Sequence, residues 1–86
     1  MIVSAAVKIQ DLRQNKEIII PCHRHCNAFQ ILHDFGYKIS EFKTLAQGFL
    51  DEENNFYDRI AAKRHAIECH QIESSEYTKL FSEDLW

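Results

Sequence analysis

Residues 21–29 read PCHRHCNAF, and the way this stretch is read decides the fold. On its N-terminal side, EIII at positions 17–20 has the β-branched character of a strand, and Pro21 stops it because proline brings no N–H to a ladder. On its C-terminal side the period changes. Ala28, Ile31, Leu32 and Phe35 fall at i, i+3, i+4 and i+7, one apolar stripe of a helix. Gly36 follows that stripe, where a left-handed residue commonly ends a helix. The stretch is therefore a strand-to-helix junction, with Arg24 and His25 near the helix start.

Working outward, Val3, Ala5, Val7 and Ile9 alternate with Ser4, Ala6 and Lys8, the pattern of a half-buried strand. The polar stretch QDLRQNK at 10–16 reads as a turn, so the first two strands are expected to form an antiparallel hairpin. Beyond the helix, TLAQGFL at 44–50 suits a strand, in which Gly48 marks a close backbone approach or a bulge. DEENN at 51–55 turns the chain, and Phe56–Tyr57 can pair back across it. Asp58 then reads as an N-cap. The run RIAAKRHAIECHQI at 59–72 reads as a second helix with Ala62, Ala66 and Cys69 on one side, and IESSEY ends it. The tail LFSEDLW at 80–86 closes on Leu85 and Trp86, and is expected to dock. The expectation is one α+β domain over residues 1–86: a small antiparallel sheet in ββαββα order with two helices.

The composition narrows the function. A chain of 86 residues allows a single domain with a limited core, and such chains often rely on association. A formal charge of −3 without any block of like charge argues against a basic grip on duplex nucleic acid. No apolar run approaches a membrane span, and the first residues lack the pattern of a signal peptide. Three cysteines cannot all pair within the chain, which points to a reducing cytoplasm.

Three chemistries compete at the junction. Cys22, His23, His25 and Cys26 hold zinc-type ligands, with Cys69 and His70 able to complete the set. Their spacing lacks the two separated pairs of a structural zinc site. Cys26 at a helix start has the surroundings of a nucleophile paired with histidine, although a cysteine on an apolar helix face is more often a small core residue. The third chemistry is an anion site. The first amides of a helix have no partner inside it and its dipole favours negative charge. Arg24 brings a bidentate fork and His25 a further donor.

With these residues in view, the sequence resembles a family of small phage and prophage proteins over nearly its whole length. The resemblance rests on PCHRH opening a helix, QGFL before a turn, FYDRIAA opening the second helix, HQI ending it, and the terminal LFSEDLW. Two positions depart from the pattern: the turn DEENNFY has no glycine, and Ala61 stands where relatives tend to carry glutamate, so the capping box is incomplete.

Proteins of this shape resemble the Thoeris anti-defence sponges, which sequester cyclic ADP-ribose isomers, and in some cases cyclic oligonucleotides, without cleaving them. The resemblance implies a non-enzymatic binder that needs no cofactor and acts in the cytoplasm of an infected bacterial host. It implies Arg24 and His25 at phosphate, Phe49 stacked on adenine, and Asp58 and Arg59 beside a ribose or a second chain. Gln71 would read a base or ribose edge, and Glu83 and Asp84 would accept ribose hydroxyls or pair with Arg24. A pocket between two copies of the chain is expected, since a chain this short encloses a nucleotide more readily as a dimer. The alternative classes are an inhibitor that binds a host enzyme through exposed apolar groups (Tyr77, Leu80, Phe81, Leu85 and Trp86) and a zinc-bound regulatory module.

Overall fold

The computed structural model describes residues 1–73 and 79–85. The elements follow as β1 (Ile2–Asp11), β2 (Lys16–Cys22), α1 (His25–Asp34), β3 (Phe42–Asp51), β4 (Phe56–Asp58) and α2 (Arg59–Glu68), with short 3-10 turns at Ile39–Glu41 and Ser82–Asp84. This is the ββαββα order read from the sequence. All pairs are antiparallel and the spatial order is β2-β1-β3-β4. The first strand is thus internal, which fits its composition: Ala5, Ala6, Val7 and Ile9 are fully buried.

β1 pairs with β2 without interruption from Ala5–Cys22 to Asp11–Lys16. Ala5, Val7 and Ile9 therefore point to one face, and that face carries both helices. α1 lays Ala28 and Leu32 on Val7, Ile9 and Ile20. α2 lays Ala62 and Ala66 on Ile2, Ala5 and Phe49, and Leu80 of the C-terminal segment joins this cluster. Cys22 packs against both clusters and links them. The result is a two-layer α+β domain.

Three local expectations are corrected. Val3 is 52% exposed, whereas Ile2 is 1% exposed. A register shift between Ile2 and Ser4 is the reason, because a one-residue slip turns every side chain before it to the other face. Phe35 is 76% exposed; it is the C-cap of α1 and has left the helical stripe. α2 stops at Glu68, so Cys69 is an exposed cap residue rather than a core contact.

Both helices end in a Schellman closure. In α1 the Tyr37 N–H donates to the Leu32 carbonyl and the Gly36 N–H to the His33 carbonyl, each at 2.9 Å, with Gly36 at φ +83°. In α2 the Gln71 N–H donates to the Ala66 carbonyl at 2.8 Å and the His70 N–H to the Ile67 carbonyl at 3.0 Å, with His70 at φ +57°. The left-handed residue is a histidine there, so no glycine announces the end.

The tail docks on its own chain. Leu80 is fully buried and Leu85 packs against the same cluster, while Tyr77 and Trp86 lie outside the described residues. Among the described residues no helix is long and apolar enough to cross a membrane.

Candidate functional site

Arg24 is the N-cap of α1, in extended backbone at φ −124°, ψ 147°. Its carbonyl accepts the Asn27 N–H, and its own N–H donates to Asn27 Oδ1, each at 2.9 Å. Asn27 thus plays the part of the third residue of a capping box. The arginine side chain is left for other work. Its Nη1 is shielded from solvent and makes no hydrogen bond among the described residues.

His25 turns inward. Its Nε2 lies 2.8 Å from the Gly48 carbonyl; a carbonyl only accepts, so Nε2 carries the proton. Nδ1 then accepts from Arg59 Nη2 at 3.3 Å, and the ring meets Phe49 edge-on at 5.2 Å. Burial holds the pKa of His25 below its usual value; the hydrogen bond to the Gly48 carbonyl opposes it, the charge of Arg59 adds to it to a lesser degree, and Glu83 opposes it least. Both ring nitrogens are occupied within the chain.

Arg59, the first residue of α2, is the hub. Nη1 donates to the Leu80 carbonyl and Nη2 to Gln47 Oε1, both at 3.0 Å. Its own carbonyl accepts the Leu80 N–H at 2.9 Å, and its guanidinium lies 5.1 Å over the Phe81 ring. One cation thereby ties the starts of both helices, β3 and the C-terminal segment together.

The other expected site residues have local duties. Phe49 is fully buried, so it offers no face to a ligand base; packing takes the whole ring. Asp58 caps α2 by accepting the Ala61 N–H at 2.7 Å. Gln71 pins the start of β1: Oε1 accepts the Ile2 N–H at 2.8 Å and Nε2 donates to the Ile2 carbonyl at 2.7 Å. Asp84 accepts the Phe81 N–H at 2.9 Å, and Glu83 is exposed. The structure therefore gathers Arg24, His25 and Arg59 around the α1 start, and places Gln71 with the start of β1. Sequence reasoning missed Gln47 and the two Leu80 backbone contacts, which no local pattern marks.

Cys22 is half-buried, and burial pushes its thiol pKa up, while His25 has no nitrogen to spare. Among the described residues no group of three His, Cys, Asp or Glu side chains is placed to hold a metal ion. Cys26 is exposed. A thiol–imidazole contact occurs elsewhere, between Cys69 Sγ and His65 Nε2 at 3.6 Å on α2.

The tail residues expected to form an exposed apolar cluster do not do so within the described part. Leu80 is core, Leu85 is half-buried, and Phe81 (45% exposed) is the accessible member.

Compared with known proteins, the chain matches one family model, described as phage T4 y16D protein, over residues 1–86. No curated protein and no solved structure matches it.

Proposed function

The chain belongs to the phage T4 y16D family, and from that premise we propose that it is a non-catalytic binder of an anionic nucleotide signal, a cyclic ADP-ribose isomer or a cyclic oligonucleotide, which it sequesters from the host. Arg24 at the start of α1 is the main phosphate ligand.

One atom supports this reading most. Arg24 Nη1 is a shielded, charged donor with no acceptor among the described residues. Leaving such a donor unsatisfied costs about 1–3 kcal/mol or more, and a phosphate oxygen beside the helix start relieves that cost while meeting the favourable end of the helix dipole. His25 then positions rather than binds, since its ring fastens Arg59. Phe81, accessible over the Arg59 guanidinium, is the platform available to a base, in place of the enclosed Phe49.

Calorimetry with a panel of cyclic ADP-ribose isomers and cyclic oligonucleotides tests this. Binding at micromolar concentration is expected, with the ligand recovered unchanged after heating the complex. A charge-assisted bond contributes about 1.5–3 kcal/mol, so Arg24→Ala should weaken binding roughly tenfold to a hundredfold. Arg24→Lys should recover only part, because an ammonium has no bidentate fork. If no panel member binds, the reading falls; if the ligand returns cleaved, the protein is an enzyme.

A further inference from the structure

A line of hydrogen bonds runs from β3 to the C-terminal segment through one imidazole and one guanidinium. The Gly48 carbonyl accepts from His25 Nε2 at 2.8 Å, and His25 Nδ1 accepts from Arg59 Nη2 at 3.3 Å. Arg59 then grips Leu80 twice: Nη1 donates to its carbonyl at 3.0 Å, and the Arg59 carbonyl accepts its N–H at 2.9 Å. The Phe81 ring lies 5.1 Å from the same guanidinium. Residues 79–85 are thus fastened by a cation that rests on the lone pair of His25.

That lone pair is the titratable link. Gly48 and Leu80 offer carbonyls and Gln47 an amide oxygen, and none of these takes a proton near neutral pH, whereas an imidazole does. Nε2 already carries a proton, so a second one enters at Nδ1. It turns an acceptor into a donor and sets N–H against N–H. A guanidinium does not give up its own proton, so the contact has to open. Arg59 cannot retreat alone, because the same head group holds Leu80 and Gln47.

The groups around the ring set the direction. β3 presents the Gly48 carbonyl and the Phe49 ring, which do not titrate. α2 presents Arg59, the C-terminal segment presents Glu83, and on α1 itself Arg24 precedes the histidine. Burial resists a second proton, the bond to Gly48 favours it, Arg59 resists it and Glu83 favours it least. Glu83 is exposed, where solvent and salt weaken its pull. The closed arrangement therefore prefers the neutral ring, and an opened one frees the ring to take its proton.

We propose that His25 is a proton-sensitive latch for the C-terminal segment: a second proton at Nδ1 breaks the contact with Arg59, releases residues 79–85 from the helix starts and uncovers Leu80. The latch is closed at neutral pH and opens as the pH falls. The cluster under α1, built on Val7, Ile9, Ile20, Ala28 and Leu32, contains no residue of this segment, so it stays intact when the latch opens. The device is independent of any bound ligand.

Amide hydrogen exchange of the full chain, followed residue by residue between about pH 8 and pH 5, is the test. That range spans the ordinary histidine value of about 6.5 and stays above the carboxylate value of about 4. After correction for the intrinsic rate at each pH, the Leu80 amide should lose protection by up to about tenfold per pH unit below about 6.5. The Val7 and Ile9 amides should keep theirs. His25→Gln, which still donates and accepts but does not titrate, should hold Leu80 protection constant. Glu83→Gln should leave the response in place. Leu80 protection that ignores pH in the wild type overturns the proposal, and so does a loss shared equally by Val7 and Ile9, which is unfolding of the whole domain. A response that survives His25→Gln, or one that vanishes in Glu83→Gln, places the sensor elsewhere and overturns it as well. The wild-type comparison and Glu83→Gln keep the test decisive even where His25→Gln does not fold.

Discussion

His25 has its protonation state set by two neighbours. With Nε2 donating to Gly48 and Nδ1 accepting from Arg59, a second proton would have to sit against a guanidinium in a buried site, and the pKa is accordingly held low. In the unfolded chain the imidazole takes a proton near pH 6.5. Below that value the unfolded chain binds a proton that the folded chain refuses. The contribution of His25 is therefore fully present above about pH 6.5 and is lost as the pH falls toward the lowered folded value. His25→Gln, which hydrogen-bonds but does not titrate, should show a flatter stability–pH curve below about pH 6.5; equal slopes by denaturant titration would assign the effect to another group. Arg59→Ala should cost about 2 kcal/mol, since it removes a charged donor shared by Leu80, Gln47 and His25, and amide exchange at residues 79–85 should quicken with it. At this scale the roles set by neighbours in sequence were legible: Arg24 heads α1 and Asp58 caps α2. Phe49 and Gln71 were not, because their partners, Ala62 and Ala66 for one and Ile2 for the other, lie far along the chain.

The elements are held in place by a few positions with no freedom. Gly48 is one: a β-carbon there would run into the Tyr57 carbonyl and approach Phe56 Cζ to 2.7 Å. Gly48→Ala should therefore cost about 2–3 kcal/mol by overpacking, read by chemical denaturation, with β4 separating from β3. The two hairpin turns share a second device. Asp11 and Asp51 are 0% and 5% exposed, and each carboxylate gathers the N–H groups of the turn after it and a tyrosine hydroxyl. Asp51 accepts from the Glu53 and Asn55 backbones at 2.9 Å and from Tyr57 at 2.9 Å; Asp11 accepts from Arg13 at 2.8 Å and Tyr37 at 2.6 Å. For Asp51, burial raises the pKa, but the Asn55 backbone and side chain and the Tyr57 hydroxyl outweigh it and bring it down to about 2. A depressed carboxyl contributes stability that is present above the unfolded pKa of about 4 and is lost as the pH falls through about 2. Asp51→Asn should remove that acid-dependent step, and an unchanged acid titration would reject this account. The closing FY strand and the Gly48 approach could be read locally. The early end of α2 could not, because His70 does with a side chain what glycine usually does without one.

The molecule as a whole presents two different ends of α1: a shielded arginine at one and the exposed apolar Phe35 at the other. The alternation of β1, the stop at Pro21 and the change of period after Arg24 determined the ββαββα order and the inward face of α1, because these depend on periodicities of two and of 3.6 carried within each segment. Only the tertiary structure decided that β1 lies inside the sheet, that Ile2 rather than Val3 faces the core, that His25 and Phe49 are enclosed, and that Arg59 binds the tail. Strand order, register shifts and the partners of buried polar groups depend on segments that meet across long stretches of chain, and no local pattern encodes which of several compatible surfaces will meet.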